Sequence, residues 1–173
     1  VLSKLANRQY VMLNLLEAPL LALLMAFFLR YCAVDGGKTA HYVFRHNDNI
    51  PQYLFIAVIV ALYLGLTVAA EEIIRDRKIL QREKFLSLSW ASYLCSKIGI
   101  LFFISAVQSL LLVLVGDLVL GMVGMAPEHW AVLFSVACFA NVLGLNVSAS
   151  FNSAKVIYIM IPVLIIPQLL FSG

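Results

Sequence analysis

The sequence predicts an all-α polytopic membrane protein, and three observations lead to that prediction. The chain has 173 residues, of which 63% are hydrophobic and 12% charged, and its mean hydropathy is +0.98. A soluble domain has about 45–50% apolar and about 25% charged residues. The apolar residues form runs close to the roughly 20 residues that cross a bilayer as a helix. Finally, the charged segment 70–84 (AEEIIRDRKILQREK) cannot lie in hydrocarbon and must project into water.

The apolar runs predict about five transmembrane helices after an interfacial helix. In chain order these elements are an interfacial helix over Leu2–Asn14, span one over Leu15–Tyr31, an outer loop over Ala33–Asn49, span two from Pro51 to about Ala69, a cytosolic elbow over Ala70–Lys84, span three over Ile98–Val115, an outer loop over Gly116–His129, span four over Trp130–Val147, an inner loop over Ser148–Lys155, and span five from Val156 onward.

Residue types at the ends of the first two spans support their boundaries. Lys4 and Arg8 among apolar residues are typical of an interfacial helix. At the outer end of span one, Arg30 can extend its head group to the membrane surface and Tyr31 can lie among the lipid head groups. Pro51 suits the first turn of span two.

The elbow is predicted to continue span two as a rigid helix. No Gly or Pro interrupts residues 70–84. Glu71 and Arg75 form an i,i+4 acid–base pair in the favourable orientation, and Glu72 and Arg75 form an i,i+3 pair. We therefore expect a charged lever on which another protein surface can push.

The later spans carry fewer polar markers. We expect Lys97, near the start of span three, to reach the inner interface with its long side chain. The apolar stretch Val119–Met125 is expected to dip into the outer interface. Pro162 and Pro167 each free a backbone carbonyl in span five, which can create a kink that lines a cavity or serves as a hinge.

Charge placement predicts the topology. Lys and Arg cluster before span one and around the elbow, whereas Gly116–His129 contains none, so the N-terminus and elbow are predicted to be cytosolic. We expect a multi-pass protein of the cell membrane. Because the basic residues are interleaved with acids, nucleic acid is not an expected partner. The chain begins with Val1 and stops in an apolar run at Gly173, so we expect residues 1–173 to be one permease domain of a longer polypeptide.

The sequence offers few groups for catalysis or metal binding. It contains neither a G-x-x-x-x-G-K-[ST] loop nor an H-E-x-x-H motif. His41 and His46 could face each other loosely, but exposure of all three histidines, including His129, in outer segments is the preferred explanation, and no metal site is predicted. The three cysteines, Cys32, Cys95 and Cys138, are expected to be apolar packing residues.

Two groups of polar residues lie in predicted spans. Glu17 is the acid nearest a span interior. It could contact a proton or substrate, or it could lie near the inner interface paired with a cation such as Arg8. Asn141, Gly144 and Asn146 could hydrogen-bond to or pack against a neighbouring helix.

The order of these elements resembles the membrane domain of ABC-2-type transporters, most closely the G-subfamily (white/pigment and multidrug-exporter) branch. The elbow carries the resemblance, together with the ending of span five. The matching residues are Glu71, then Asp76-Arg77, then Arg82-Glu83, then Ser92-Tyr93-Leu94 before Lys97, and finally Phe171-Ser172-Gly173.

The resemblance implies an ATP-driven mechanism. Two copies, or two related halves, would form a translocation path, and each elbow would dock on a nucleotide-binding domain that holds ATP and Mg²⁺. The elbow would transmit movement to spans one, two and five. Contacts with the ATPase are implied for Arg82, Glu83, Lys84 and Phe85. Ion pairs that hold the elbow are implied for Glu71, Arg75, Asp76 and Arg77.

The resemblance also implies a substrate cavity between spans two and five. The matching positions are Val60, Leu64, Pro162 and Ile166, and their apolar character suits lipid-like or drug-like amphiphiles. Membrane lipids are the further expected partners. The chain itself carries no predicted catalytic residue and no cofactor.

Two other classes of protein remain possible on the sequence. A channel or ion-gradient-driven transporter would use polar groups within its spans, and Glu17 is the candidate. A membrane-embedded enzyme, such as a lipid-modifying transferase, would need clustered acids or histidines at one face. The acids of the elbow are mixed with bases and lack a D-x-x-D-type set.

Overall fold

The computed structural model describes six stretches of the chain. These are residues 8–29, 49–70, 72–73, 90–122, 124–151 and 154–171. They form five helices: α1 (Arg8–Leu29), α2 (Ile50–Ala70), α3 (Trp90–Leu120), α4 (Ala126–Ser150) and α5 (Ala154–Phe171). The predicted all-α fold is confirmed.

Helix α1 joins two segments that the sequence analysis separated. The predicted interfacial helix ends at Asn14 and span one begins at Leu15, but residues 8–29 form one continuous helix. Pro19 lies inside it and removes one backbone donor. Its exposed apolar side chains include Leu16, Leu20, Phe27 and Phe28. Such a face suits lipid or another apolar surface.

Helix α2 begins where the sequence indicates. Pro51 lies in its first turn, where the missing N–H has no intrahelical acceptor. The backbone carbonyl of Asn49 accepts the bond from the Tyr53 N–H at 2.9 Å, which starts the helical ladder. The helix reaches Ala70, and residues 72–73 are also helical, so the chain enters the elbow as a helix.

Helix α3 has 31 residues, contains the predicted span Ile98–Val115 and continues beyond its predicted end to Leu120. Gly116, expected in a loop, lies within the helix beside Tyr53 of α2. A Cβ at this position would overlap the Tyr53 hydroxyl. Gly116 is therefore used for close helix packing and does not end α3.

Gly121 ends α3. Its φ of 67° is left-handed, and the Met122 N–H donates to the Asp117 carbonyl at 3.0 Å, which is the six-to-one bond of a Schellman motif. Leu120 and Met122 are buried in the protein core. These two residues of the apolar stretch Val119–Met125 pack inward, and the expected dip of the stretch into the membrane interface stays a prediction.

Helices α4 and α5 lie where spans four and five were predicted, and α4 extends beyond Trp130–Val147 at both ends. Pro127 lies in the first turn of α4, which ends at Ser150 before the extended residue Phe151. Pro162 and Pro167 both lie inside α5.

The most extensive helix contact in the described structure joins α2 and α4, and small residues let the two helices approach closely. A Cβ on Gly65 would lie 2.7 Å from the Ala140 Cβ, and one on Gly144 would lie 2.7 Å from the Ala69 Cβ. Apolar residues of α1, α3 and α4 pack around the N-terminal half of α2. Ile157 and Ile161 of α5 pack against the C-terminal half of α2. Helix α2 is therefore the centre of the fold.

Three helices are long and apolar enough to cross a membrane. They are Ile50–Ala70, Ala91–Leu120 and Ala126–Ser150. Shorter apolar segments lie at Asn14–Leu29 in α1 and Val156–Leu170 in α5.

Candidate functional site

The entrance to the elbow is fixed by a buried ion pair between Glu72 and Lys97. Lys97 Nζ of α3 lies 2.9 Å from Glu72 Oε2, and the two residues are 7% and 4% exposed. Lys97 Nζ also lies 5.7 Å from the centre of the Tyr93 ring, a cation–π distance. The Lys97 ammonium is therefore held inside the protein by Glu72, and its predicted position near the membrane interface stays a prediction.

A second contact ties the same point to α4. The backbone N–H of Ile73 donates to Ser148 Oγ at 3.0 Å, and the Ser148 side chain is fully buried. Glu72, Ile73, Lys97 and Ser148 are called the elbow anchor below. The two contacts connect consecutive residues at the start of the elbow to two different helices, α3 and α4.

The remaining elbow residues lie outside the described part of the chain. This applies to the predicted ATPase contacts Arg82, Glu83, Lys84 and Phe85, and to the predicted ion-pair residues Glu71, Arg75, Asp76 and Arg77. Their roles stay predictions. His41, His46 and Cys32 lie in undescribed segments as well. In the described part of the chain, no three His, Cys, Asp or Glu side chains are grouped to hold a metal ion.

An apolar pocket of about 500 Å³ lies between α2, α4 and α5. It is lined by Phe55, Val58, Ile59, Leu62, Ser135, Val136, Phe139, Ile165, Gln168 and Leu169. Gln168 is the polar exception near α5, and its Oε1 has no hydrogen-bond partner among the described residues. An apolar wall with few polar groups is the usual form of a site for an amphiphile.

The four predicted cavity residues do not line this pocket. Val60 and Leu64 pack with the core formed by α1, α3 and α4. Pro162 and Ile166 of α5 are exposed, and their neighbour Ile165 lines the pocket instead. The predicted cavity would be shared by two copies or two related halves, whereas this pocket lies within a single copy of the chain. The assignment of the four residues to a shared cavity therefore stays a prediction.

A buried polar seam joins α3 to α1 and α4. Asn141 Nδ2 donates to Ser105 Oγ at 2.8 Å, and Gln108 Nε2 donates to the Asn14 carbonyl at 2.9 Å. The expected helix–helix role is confirmed for Asn141 and for Gly144. Asn146 instead bonds to the Val142 carbonyl of its own helix and is exposed.

Glu17 lies far along the helices from the end that carries the elbow anchor. It follows Asn14 by about one turn of α1, and Asn14 is level with Gln108, near the middle of α3. The Glu17 side chain is half-buried. The alternative that places Glu17 near the inner interface is therefore not favoured by the helix register.

The end of the molecule opposite the elbow contains a second buried pair that sequence reasoning missed. His129 Nδ1 lies 2.9 Å from Asp117 Oδ1, and the residues are 9% and 6% exposed. Both were expected in an exposed outer loop, but α3 extends past Asp117 and α4 begins before His129. The sequence did contain a signal for this pair. Asp117 and His129 lie shortly before and shortly after a Gly- and Pro-containing segment that could reverse the chain and bring them together.

Fold and site together define an integral membrane protein in which the residues that follow α2 are anchored to α3 and α4. The chain matches the ABC-2 type transporter family model over residues 3–173, and it belongs to that family. It is the membrane component of an ABC transporter.

A curated relative supports this assignment. The ABC transporter ATP-binding/permease protein Rv1747 of Mycobacterium tuberculosis (strain ATCC 25618 / H37Rv) is 28% identical over 130 residues, which covers 70% of this chain. The chain spans 15% of the length of that relative. No solved structure matches the chain.

Proposed function

We propose that this chain is the permease of an ATP-driven exporter that moves an amphiphilic or lipid-like substrate. The observation that carries the proposal is the elbow anchor. Its two buried contacts hold the first residues of the predicted lever firmly against two helices of a membrane domain of this family.

The proposed driving partner is a nucleotide-binding domain, fused or separate, which supplies ATP and Mg²⁺. The relative's printed name combines ATP binding with a permease, which is consistent with such a partner. On this proposal the elbow faces the cytosol, as does the N-terminus, in agreement with the positions of Lys and Arg. The G-subfamily branch remains the closest resemblance, and a second copy or related half would complete the path across the cell membrane.

The anchor specifies how movement would be transmitted. The resemblance implied that the elbow drives spans one, two and five. The contacts instead connect its first residues to α3 through Lys97 and to α4 through Ser148. Helices α2 and α4 also share the most extensive contact between described helices. We therefore propose that α2, α3 and α4 move together and that α5 moves relative to them.

The pocket supports the proposed substrate class. Its walls are apolar, it opens between three helices, and Gln168 offers one amide near the apolar surface. An acyl chain or a drug-like ring would fit such a wall, with a polar group near Gln168.

Photocrosslinking from residue 84 in intact membranes tests the proposal. We expect the crosslinked partner peptide, identified by mass spectrometry, to come from an ATPase domain. Crosslinks only to lipid or to this chain's own inner segments would contradict the proposed docking.

A charge reversal provides the functional counterpart. Glu83→Arg is expected to abolish ATP-dependent transport while membrane insertion is retained, because it reverses a charge at the proposed docking surface. Glu128→Arg is the matched control, since Glu128 is an exposed acid at the opposite end of the fold. Normal transport by Glu83→Arg would count against the proposal.

The position of Glu17 supports one competing function, an ion-gradient-driven transporter. A half-buried carboxylate level with the middle of α3 is a candidate for ion coupling. Uptake that is driven by an ion gradient without ATP and lost in Glu17→Gln would favour this alternative over the exporter.

A further inference from the structure

Three polar side chains are buried together at the end opposite the elbow. Tyr53 of α2 is 0% exposed, Asp117 of α3 is 6% exposed, and His129 of α4 is 9% exposed. These residues are called the distal cluster below. Each comes from a different helix, so the cluster joins the ends of α2, α3 and α4.

The local backbone explains how the cluster forms. Asp117 lies one turn before the end of α3, and its carbonyl accepts the Met122 N–H that closes the Schellman turn. His129 lies one turn after the start of α4, where its N–H donates to the Met125 carbonyl. The short turn therefore places the two side chains opposite each other, with 2.9 Å between His129 Nδ1 and Asp117 Oδ1.

Tyr53 closes the cluster from α2. Its ring meets the His129 ring edge to face, with 6.0 Å between the ring centres and 71° between the planes. Its hydroxyl lies over Gly116, one residue before Asp117. A side chain larger than Gly at residue 116 would displace Tyr53.

The cluster contains buried polar atoms that make no hydrogen bond. Among the described residues, Tyr53 Oη, Asp117 Oδ2 and His129 Nε2 are buried without a hydrogen-bond partner. The surrounding core includes the apolar residues Leu120, Met122 and Leu133. The adjacent acid, Glu128, is exposed. Among the described residues, the buried titratable groups at this end of the fold are Tyr53 from α2, Asp117 from α3 and His129 from α4.

The number of protons on the Asp117–His129 pair sets its net charge. With one proton in addition to neutral imidazole and carboxylate, the pair is neutral overall and its hydrogen bond is charge-assisted. Without that proton the pair carries one negative charge in an apolar core, which is costly to bury. Histidine is the side chain whose charge ordinarily changes between about pH 5 and pH 8.

We propose that the distal cluster is a proton-binding site that keeps the ends of α2, α3 and α4 together while the proton is bound. Loss of the proton leaves the Asp117 carboxylate uncompensated, and the turn between α3 and α4 loosens so that water can reach it. The ligand is a proton taken from the side of the membrane that this end faces. This inference is independent of ATP coupling, because the cluster and the elbow anchor lie at opposite ends of α3.

A titration of the chain in lipid nanodiscs tests the site directly. Nitrogen NMR of ¹⁵N-labelled histidine rings, from about pH 5 to about pH 9, reports the protonation state of His129. The His129 signal is identified by its absence in His129→Gln. We expect this signal to change together with the amide exchange protection of the α3–α4 turn, after correction for intrinsic exchange. Protection should fall about tenfold to a hundredfold when the proton is lost.

Two variants define the outcomes. In Asp117→Asn the coupled change in protection should disappear, because without the carboxylate a proton on the buried His129 ring would have no compensating charge and the ring should stay neutral. In Glu128→Gln it should persist, because that carboxylate is exposed. Turn protection that does not follow the His129 signal in the unmodified chain would overturn the proposal. So would a loss of the pH response in Glu128→Gln, which would assign the response to the surface carboxylate.

Discussion

At the scale of single residues, the buried Glu72–Lys97 pair is the feature with the largest expected energetic effect. Removing one partner of a buried ion pair leaves an uncompensated charge and costs about 3–5 kcal/mol. Replacing both partners by apolar residues of similar size is often neutral. The pair therefore predicts a strong asymmetry between single and double substitutions.

Lys97→Met is expected to lower the free energy of unfolding by about 3 kcal/mol, because Glu72 loses a buried partner at 2.9 Å. The double variant Glu72→Leu/Lys97→Met should recover most of this loss. The measurement is reversible unfolding in mixed micelles. A double variant as unstable as Lys97→Met would show that the pair is not the main interaction of these residues.

Residues such as Lys97 and His129 also mark the limit of what the sequence alone predicts. A lone Lys near a span end is usually able to reach the interface, and a lone His in a Gly- and Pro-containing segment is usually exposed. Each instead finds its partner through the fold: Glu72 lies 25 residues before Lys97, on the other side of the elbow. Asn141, on an otherwise apolar helix, was predictable because its amide must bond within the protein.

At the scale of helices, the contact between α2 and α4 depends on two glycines. Gly65 and Gly144 face alanines of the opposite helix, and any Cβ there would come within 2.7 Å of a neighbouring Cβ. The same close approach brings Ser148, one turn after Gly144, to the Ile73 N–H. Packing in the middle of α4 therefore positions the elbow anchor.

Gly144→Ala is expected to destabilise the chain by about 1–3 kcal/mol through overpacking. Gly99→Ala is the matched control: its Cβ meets no atom within 4 Å, so better helix propensity should leave stability unchanged or slightly higher. Thermal unfolding of both variants in the same detergent makes the comparison. Equal melting temperatures for the two variants would refute tight α2–α4 packing.

The helix lengths show what hydropathy can and cannot predict. The centres of spans two, four and five follow from their apolar runs, and Pro51 and Gly121 mark helix ends by their backbone chemistry. The end of α3 was placed too early because Gly116 resembles a breaker. Whether a glycine ends a helix or admits a neighbouring ring depends on tertiary packing, which a single sequence does not contain.

At the scale of the whole molecule, α2, α3 and α4 are joined at both ends, by the elbow anchor and by the distal cluster. Helix α5 meets α2 through a few residues such as Ile157 and Ile161, and the pocket lies along this looser boundary. Movement of α5 against the other three helices would change the shape of the pocket. On the proposed movement of α5, a pocket at this boundary would suit a molecule that must both enter and leave.

Ser135→Trp is expected to weaken binding of a photoactivatable phospholipid about tenfold, because the ring would fill part of the pocket. Val132→Trp is the matched control, since Val132 is exposed on the same helix about one turn away and does not line the pocket. Competitive photolabelling measures both variants. Equal labelling of Ser135→Trp and the unmodified chain would exclude the pocket as the lipid site.

The spacing of the two buried pairs along α3 also relates the protein to the membrane around it. Lys97 and Asp117 are separated by 20 residues, which corresponds to roughly 30 Å of helix. The hydrocarbon layer of a typical bilayer has about the same thickness. Both pairs therefore fit its two boundaries, so lipids with longer chains would place one of them in hydrocarbon. A mismatch between helix length and bilayer thickness would then change the surroundings of one of the two buried pairs. The stability of the fold would therefore depend on the acyl-chain length of the lipids.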